Sequence, residues 1–349
     1  MSAQQEEKGV LRPFDQPRAG AVRRILVCLD RSPASETCLP VAVALAKSCG
    51  SELQLLHVLE SGSSTPEVPP ADAVGWLVGR AEAEDYLAGV VARFSAQGLS
   101  LHTAVVAGHV AEQILCFADR DNIDLIVLSS HGEKGLTEWS LGSTTEKVLA
   151  RTRASVLVVP VRRAQSRWEG EAALERILVL LDGSPRAESV LPLVQQLALQ
   201  RGAKLILLHA ATPPQLFEAR PLTAHEVSLG RRLADHNERC AQDYLAQIRA
   251  RLAREGCAAQ EMVEKGDLRS FLPAVTAREK IDLIAITSHG RTGDRSCSYG
   301  DTAGHLVRHA RVPILMLQSL PQRPSEFAAA VRHRRQVSPL RGSHTHESS

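Results

Sequence analysis

The segment Arg24-Ile25-Leu26-Val27-Cys28-Leu29-Asp30 recurs further along the chain as Arg176-Ile177-Leu178-Val179-Leu180-Leu181-Asp182. Other segments repeat in the same order: Leu55-Leu56-His57 as Leu207-Leu208-His209, and Asp124-Leu125-Ile126 with Ser130-His131-Gly132 as Asp282-Leu283-Ile284 with Ser288-His289-Gly290. A repeat of this length is far longer than the roughly 20–50 residues of a solenoid unit, so each copy is the size of a domain. The sequence therefore predicts two related domains in tandem, and a site in one copy should have a counterpart in the other.

The bulk composition excludes several classes of protein. The chain has 349 residues, a formal net charge of +2 and 3% aromatic residues. This length suits two domains of about 150 residues each, and the small charge argues against nucleic acid or an anionic membrane as a partner. The seven cysteines include no C-x-x-C pair, and no apolar run reaches the ~20 residues of a membrane span. We therefore expect a cytoplasmic protein.

Apolar runs and helical periodicity alternate along each copy. In the first copy, Ile25–Leu29 is a short apolar run typical of a strand buried on both faces. Leu39–Cys49 then has helical periodicity, which ends at Gly50. This alternation predicts an α/β fold with two tandem five-stranded parallel open sheets and helices on both faces. Such sheets bind ligands beyond the carboxyl ends of their strands, where the winding direction reverses.

The loop after the fourth predicted strand has the features of an anion site. In the first copy, Gly132 is followed by nine residues and then by Gly142-Ser143-Thr144. Gly142 lets the backbone approach a bulky anion, and the free N–H groups of a helix beginning at Ser143 favour negative charge. Ser143 and Glu146 also match a capping box. A capped helix start without a ligand is the alternative, but Asp30, the loop glycines and the helix start recur together in both copies.

The alternation and this loop together resemble a tandem universal stress protein with two UspA-type domains. Motifs of other nucleotide-binding classes, G-x-x-x-x-G-K-[S/T] and G-x-G-x-x-G after the first strand, are absent. The resemblance implies the strand order 3-2-1-4-5 in each sheet. It divides the chain into a flexible N-terminus (1–20), domain 1 (21–163), a linker (164–173), domain 2 (174–320) and a disordered tail (321–349).

The same resemblance implies how the domains associate. The fifth predicted strand of each copy, Val156–Val161 and Val312–Leu317, is apolar and lies at a sheet edge. In the family these edges pair across the domain interface, so the chain is expected to form an internal pseudo-dimer. Homodimerisation of the whole chain is a further expectation.

Nucleotide-binding members of that family carry G-x2-G-x9-G-[S/T] in this loop. The first copy matches the G-x9-G-[S/T] part of this pattern, while Ser129 stands in place of the first glycine. The resemblance implies that the first copy binds ATP or a related adenine nucleotide, with or without Mg2+. It assigns the adenine and ribose end to Asp30, Val58 and Leu128, and the phosphates to Gly132, Gly142, Ser143 and Thr144.

The second copy departs further from the pattern. Thr287 replaces the first glycine, and Asp301 stands where a serine or threonine would meet phosphate. Two like charges ~4 Å apart cost about 4 kcal/mol at an effective dielectric constant of ~20. We therefore expect domain 1 to bind nucleotide and domain 2 to be its structural partner.

The leading hypothesis is a stress-response regulator that binds nucleotide, without catalytic residues or dedicated metal ligands. Asp30 and Glu146 are the carboxylates nearest the expected phosphates, and Glu146 is assigned to helix capping. Two alternatives stay open. One is a slow ATPase, which would need a general base or a metal carboxylate near the phosphates. The other is an interaction scaffold that binds no nucleotide.

Overall fold

The computed structural model describes residues 22–60, 73–131, 141–161, 172–211, 223–290 and 299–318. Within these ranges each copy has five strands and five α-helices. The first copy runs through Arg24–Cys28 (β1), Pro33–Glu36 (α1), Leu39–Cys49 (α2), Glu52–Glu60 (β2), Ala73–Phe94 (α3), Leu101–Gly108 (β3), Val110–Arg120 (α4), Leu125–Ser129 (β4), Ser143–Arg151 (α5) and Ser155–Val159 (β5). The second runs through Arg176–Leu180 (β6), Pro185–Glu188 (α6), Leu191–Arg201 (α7), Lys204–Ala211 (β7), Ala224–Arg254 (α8), Ala259–Lys265 (β8), Leu268–Arg278 (α9), Leu283–Thr287 (β9), Asp301–His309 (α10) and Ile314–Leu317 (β10).

Three predicted segments lie wholly or mainly outside the described residues. They are the N-terminus over 1–20, the tail over 321–349, and the linker over 164–173 except for its last two positions. Among the helices of the described ranges, none combines the length and the apolar composition that crossing a bilayer requires.

All ten strands belong to one sheet, in the order β3-β2-β1-β4-β5-β10-β9-β6-β7-β8. Within each copy the neighbouring strands are parallel and follow the order 3-2-1-4-5, as predicted. β5 and β10 pair in antiparallel orientation with Leu157 opposite Leu315, so the predicted pairing of the two sheet edges is observed. Leu157 and Leu315 are equivalent positions of the repeat, and the pseudo-twofold axis therefore passes between them.

Two hydrophobic cores cover the two faces of this sheet, and each contains residues from both copies. On one face, α2, α3, α7 and α8 pack on side chains such as Ile25 and Leu55 of the first copy and Ile177 and Leu207 of the second. On the other face, α4, α5, α9 and α10 pack on the alternate side chains of the same strands. Because buried strands of a parallel sheet face helices on both sides, their sequences are continuously apolar.

The first strand-to-helix connection is built the same way in both copies. Ser32 and Ser184 cap the short helices α1 and α6 through their side-chain oxygens, and a proline follows at the first helical position. The next helices, α2 and α7, end at Gly50 and Gly202, which both have a φ of 66°. Only glycine adopts this left-handed conformation at low cost, so the two stop signals act identically.

One contact between the two copies, which joins α2 and α7, is one-sided. Arg201 of α7 donates hydrogen bonds to the side-chain oxygen of Ser48 (2.9 Å) and to the carbonyl oxygen of Ala44 (3.0 Å) in α2. The repeat places Cys49 at the position equivalent to Arg201, and Gln200 at the position equivalent to Ser48. A thiol cannot replace a guanidinium, so the pseudo-twofold axis does not generate a second copy of this contact.

Candidate functional site

The turn after β1 depends on Asp30, whose Oδ1 accepts a hydrogen bond from the backbone N–H of Ser32 (3.0 Å). Asp182 makes the same contact in the second copy (2.9 Å). One carboxylate oxygen of each aspartate therefore holds the strand-to-helix turn, as aspartate side chains commonly do. The next residue has a positive φ in both copies, but it is Arg31 (φ 67°) in the first and Gly183 (φ 77°) in the second.

Arg31 is an exposed cation beside this turn. Its guanidinium forms an ion pair with Glu82 of α3, with 3.0 Å between Nη1 and Oε2. Left-handed backbone costs a residue with a side chain roughly 1–2 kcal/mol, a cost that glycine avoids in the second copy. The first copy therefore holds a strained arginine where the second has a relaxed glycine.

The end of β2 contributes His57 and Val58. His57 is buried, and because the carbonyl oxygen of Leu29 can only accept, its Nδ1–H donates the 2.8 Å hydrogen bond between them. Burial lowers the pKa of His57, since it disfavours the charged imidazolium, and the hydrogen bond to Leu29 partly opposes this shift. Val58 follows on the other face of the strand and pairs with Val106 of β3.

The end of β4 is joined to the start of α5 by hydrogen bonds. Leu128 is buried in the core, and the side chain of Ser129 donates to the carbonyl oxygen of His131 (2.8 Å). The backbone N–H of Gly142 donates to the carbonyl oxygen of Ser130 (2.8 Å). A Cβ atom on Gly142 would lie 3.2 Å from that carbonyl oxygen, a tight contact. Gly142 is therefore required for the close approach of the two chain segments.

Helix α5 begins differently from the sequence-based prediction. Gly142 is the N-cap, Ser143 is the first helical residue, and no side-chain hydrogen bond caps the helix. The predicted capping box is therefore wrong, because Glu146 lies one position too far along the helix to reach back to the N-cap. Its carboxylate instead accepts a hydrogen bond from the guanidinium of Arg308 in domain 2 (2.8 Å).

Most of the predicted residues lie where the strands of the first copy (β1–β5) have their carboxyl ends. Asp30, Val58 and Leu128 lie within two residues of the ends of β1, β2 and β4. Gly142, Ser143 and Thr144 open the helix that follows β4. Ser143 is exposed and Thr144 is half-buried. Gly132 lies outside the described residues.

A separate cavity of about 450 Å3 lies between the C-terminal ends of α2 and α7 and the segment before β6. Lys47, Glu175 and Arg201 are among the residues that line it. None of the predicted site residues borders this cavity. The candidate site is the crevice expected beyond the carboxyl ends of the strands, where parallel sheets bind ligands.

The second copy has the same backbone arrangement around its crevice, but some of the side chains differ. Thr287 donates to the carbonyl oxygen of His289 (3.0 Å), which reproduces the contact made by Ser129. The carboxylate of Asp182 lies directly against Gly290, where a Cβ atom would be 2.1 Å from its Oδ2. Asp301 is the exposed first residue of α10, which has Gly300 as its N-cap and no side-chain cap. Both aspartates bring negative charge to this copy of the crevice.

The family model of the universal stress proteins matches residues 21–160 and 173–318, once for each copy. The chain belongs to the universal stress protein family. Its two matched segments contain the two half-sheets described above, and they confirm the tandem arrangement. The shared turn after the first strand and the shared approach of Gly142 and Gly300 to the fourth strand are thus features of two universal stress protein domains.

Two relatives with sequence similarity each match about one domain. Universal stress protein YxiE of Bacillus subtilis is 31% identical over 144 residues, which cover 39% of this chain and 97% of the relative. A universal stress protein of Synechocystis is 28% identical over 148 residues, covering 39% of this chain and 96% of the relative. The crystal structure of a universal stress protein from Archaeoglobus fulgidus is 19% identical, covers 86% of this chain and 99% of that chain, and has a TM-score of 0.61. This last likeness supports the fold.

Proposed function

We propose that domain 1 binds ATP or a related adenine nucleotide and that this binding regulates a cytoplasmic stress response without strong catalysis. The observation that carries the proposal is the start of α5. Its first N–H groups follow an N-cap glycine, lack a side-chain cap, and stand at the carboxyl edge where parallel sheets bind ligands. The N-terminal end of a helix with this exposure favours a phosphate group.

The roles of the individual residues follow from their places in the crevice. The backbone at Val58 and Leu128 would contact the adenine and ribose end, together with Asp30. Asp30 can serve both the turn and a ligand, because one carboxylate accepts several hydrogen bonds. Gly132, Gly142, Ser143 and Thr144 would hold the phosphates, where Mg2+ could offset their charge. The pattern G-x9-G-S supports this assignment.

Domain 2 would serve mainly as the partner in the internal pseudo-dimer. Its helix start carries Asp301 in place of Ser143. This negative charge, which domain 1 lacks at the equivalent position, opposes the binding of a polyphosphate by like-charge repulsion. The proposal therefore predicts one nucleotide per chain.

The test compares Ser143→Asp with Ser143→Asn by titration with labelled ATP. Both variants keep a side chain of similar size at an exposed position, and domain 2 already holds an aspartate in the same backbone setting. They differ only in charge, so Ser143→Asp should weaken ATP binding at least about tenfold relative to Ser143→Asn. Gly142→Val is a poorer test, because its side chain would disturb the contact with Ser130.

A matched control comes from the second copy. Asp301→Asn makes the corresponding change of charge in domain 2 and should leave the high-affinity site unchanged. If the wild-type chain shows no saturable ATP binding, the nucleotide proposal is wrong and the interaction scaffold becomes the better account. If Asp301→Asn alters the measured affinity more than Ser143→Asp does, the ligand belongs to domain 2.

A further inference from the structure

One ion pair joins the helices that follow the fourth strands of the two domains. Arg308, in the last turn of α10 in domain 2, donates a hydrogen bond to Glu146 in the first turns of α5 in domain 1 (2.8 Å). Both side chains are partly exposed, at 41% and 48%. Glu146 follows Ser143 by three residues, and residues at this spacing lie on one face of a helix with Cβ atoms roughly 5–6 Å apart. Arg308 therefore lies next to the start of α5.

The helix that carries Arg308 has a glycine where α5 has Glu146. Gly304 is the repeat equivalent of Glu146 and has no side chain. A Cβ atom there would lie 2.8 Å from the ring of Tyr299 and 3.8 Å from Nη1 of Arg308. The ring of Tyr299 thus occupies the space that a side chain at this position would need, and the guanidinium of Arg308 lies beside it at an ordinary contact distance.

The contact serves domain 1 alone. The repeat places Ala150 at the position equivalent to Arg308, and Gly304 at the position equivalent to Glu146. Neither alanine nor glycine has a charged side chain, so no corresponding ion pair can form beside Asp301 at the start of α10. The pseudo-twofold axis relates the two helix starts, and of the two equivalent positions Arg308 and Ala150, Arg308 alone carries a cation.

The charge of Glu146 indicates what the guanidinium of Arg308 does at this helix start. Glu146 places a carboxylate near the helix start that is proposed to hold phosphates, and alone it would repel them. Arg308 offsets that charge and adds to the positive end of the helix dipole. Its effect should increase with the number of phosphate groups on the ligand, because each added group increases the charge with which it interacts.

We propose that Arg308 is a specificity residue supplied by domain 2, which makes the site of domain 1 favour nucleoside polyphosphates over monophosphates. This inference rests on the proposed nucleotide site. It gives domain 2 a direct part in ligand binding, in addition to its part in the sheet.

The test measures the affinities of the full-length chain for ATP and AMP at a fixed magnesium concentration. Arg308→Gln should weaken ATP binding about fivefold and AMP binding less, as expected for one charge that is partly screened by solvent. Glu146→Gln should strengthen ATP binding by a similar factor, and the double variant should return close to the wild-type affinity. The matched control is Arg251→Gln, which removes an arginine of domain 2 that pairs with Glu188.

The opposite effects expected for Arg308→Gln and Glu146→Gln on ATP affinity distinguish an electrostatic role from a structural one. If the ion pair only held the domains together, Arg308→Gln and Glu146→Gln would change the affinity in the same direction, and the inference would be wrong. Equal losses for ATP and AMP would also contradict it, as would an effect of Arg251→Gln as large as that of Arg308→Gln. Absence of ATP binding by the wild-type chain would instead refute the proposed function, and this inference with it.

Discussion

The β5–β10 pair should make the two domains energetically dependent on each other, and a double-mutant cycle across it can measure this coupling. Leu157 and Leu315 lie directly opposite each other and are both fully buried in the same core. Opposite residues of an antiparallel pair have Cβ atoms about 4.5–5.5 Å apart. The perturbation is Leu157→Ala, Leu315→Ala and the two together.

Each single change should lower the free energy of unfolding by about 3 kcal/mol, within the range of 2–5 kcal/mol for buried leucines. The second change removes atoms beside a void that the first has already made, so it should cost less than it does alone. We expect the double variant to be more stable than the sum of the single effects predicts, by about 1 kcal/mol.

Urea denaturation followed by far-UV circular dichroism gives the four unfolding free energies. The control cycle is Leu55→Ala with Leu207→Ala, which are buried equivalents in β2 and β7. Seven strand spacings of ~4.8 Å separate these two strands, so the control pair should be additive within about 0.5 kcal/mol. If the coupling between Leu157 and Leu315 is no larger than that of the control pair, the reasoning is refuted.

Three further predictions concern single positions in domain 1. Gly89 lies in α3 with open space around its missing side chain, so Gly89→Ala should stabilise the chain by about 0.5–1 kcal/mol in thermal or urea unfolding. Gly98→Ala should instead lower the free energy of unfolding by about 1 kcal/mol, because Gly98 has a φ of 69°. Stabilisation by both substitutions, or destabilisation by both, would contradict this prediction. The unfolded chain takes up a proton at His57 below pH ~6.5 that the folded chain takes up only at lower pH. Stability should therefore fall as the pH decreases through this window, and the fall should be smaller in His57→Gln, with urea midpoints at pH 7.5, 6.5 and 5.5 as the measurement. Identical pH profiles for the two proteins would show that His57 does not contribute.

The elements were predictable because their signals are local. The helix Leu39–Cys49 has the predicted bounds, and Gly50 ends it as expected. Apolar runs such as Ile25–Leu29 identify buried parallel strands. The strand order came from the family resemblance, since periodicity does not specify which strands are neighbours.

The sequence-based predictions for the site failed in two situations. In one, a shift of one residue changes the role of a side chain; in the other, the contact is made by a residue far away in the sequence. A capping box requires its serine to be the N-cap, but Gly142 takes that position and moves Ser143 into the helix. The partner of Glu146 is 162 residues away in sequence, so no local pattern could indicate Arg308. The same holds for the contact of Asp182 with Gly290, which depends on the meeting of two loops.

The hydrogen bond between Arg201 and Ser48 has no counterpart across the pseudo-twofold axis, and this bears on how a fused chain can evolve by substitution. In a dimer of identical subunits every substitution near the axis occurs twice, and an arginine that fits on one side must also be tolerated on the other. Joining the halves in a single polypeptide removes this constraint and fixes their ratio at one to one. Each half can then acquire substitutions that would be harmful if both carried them.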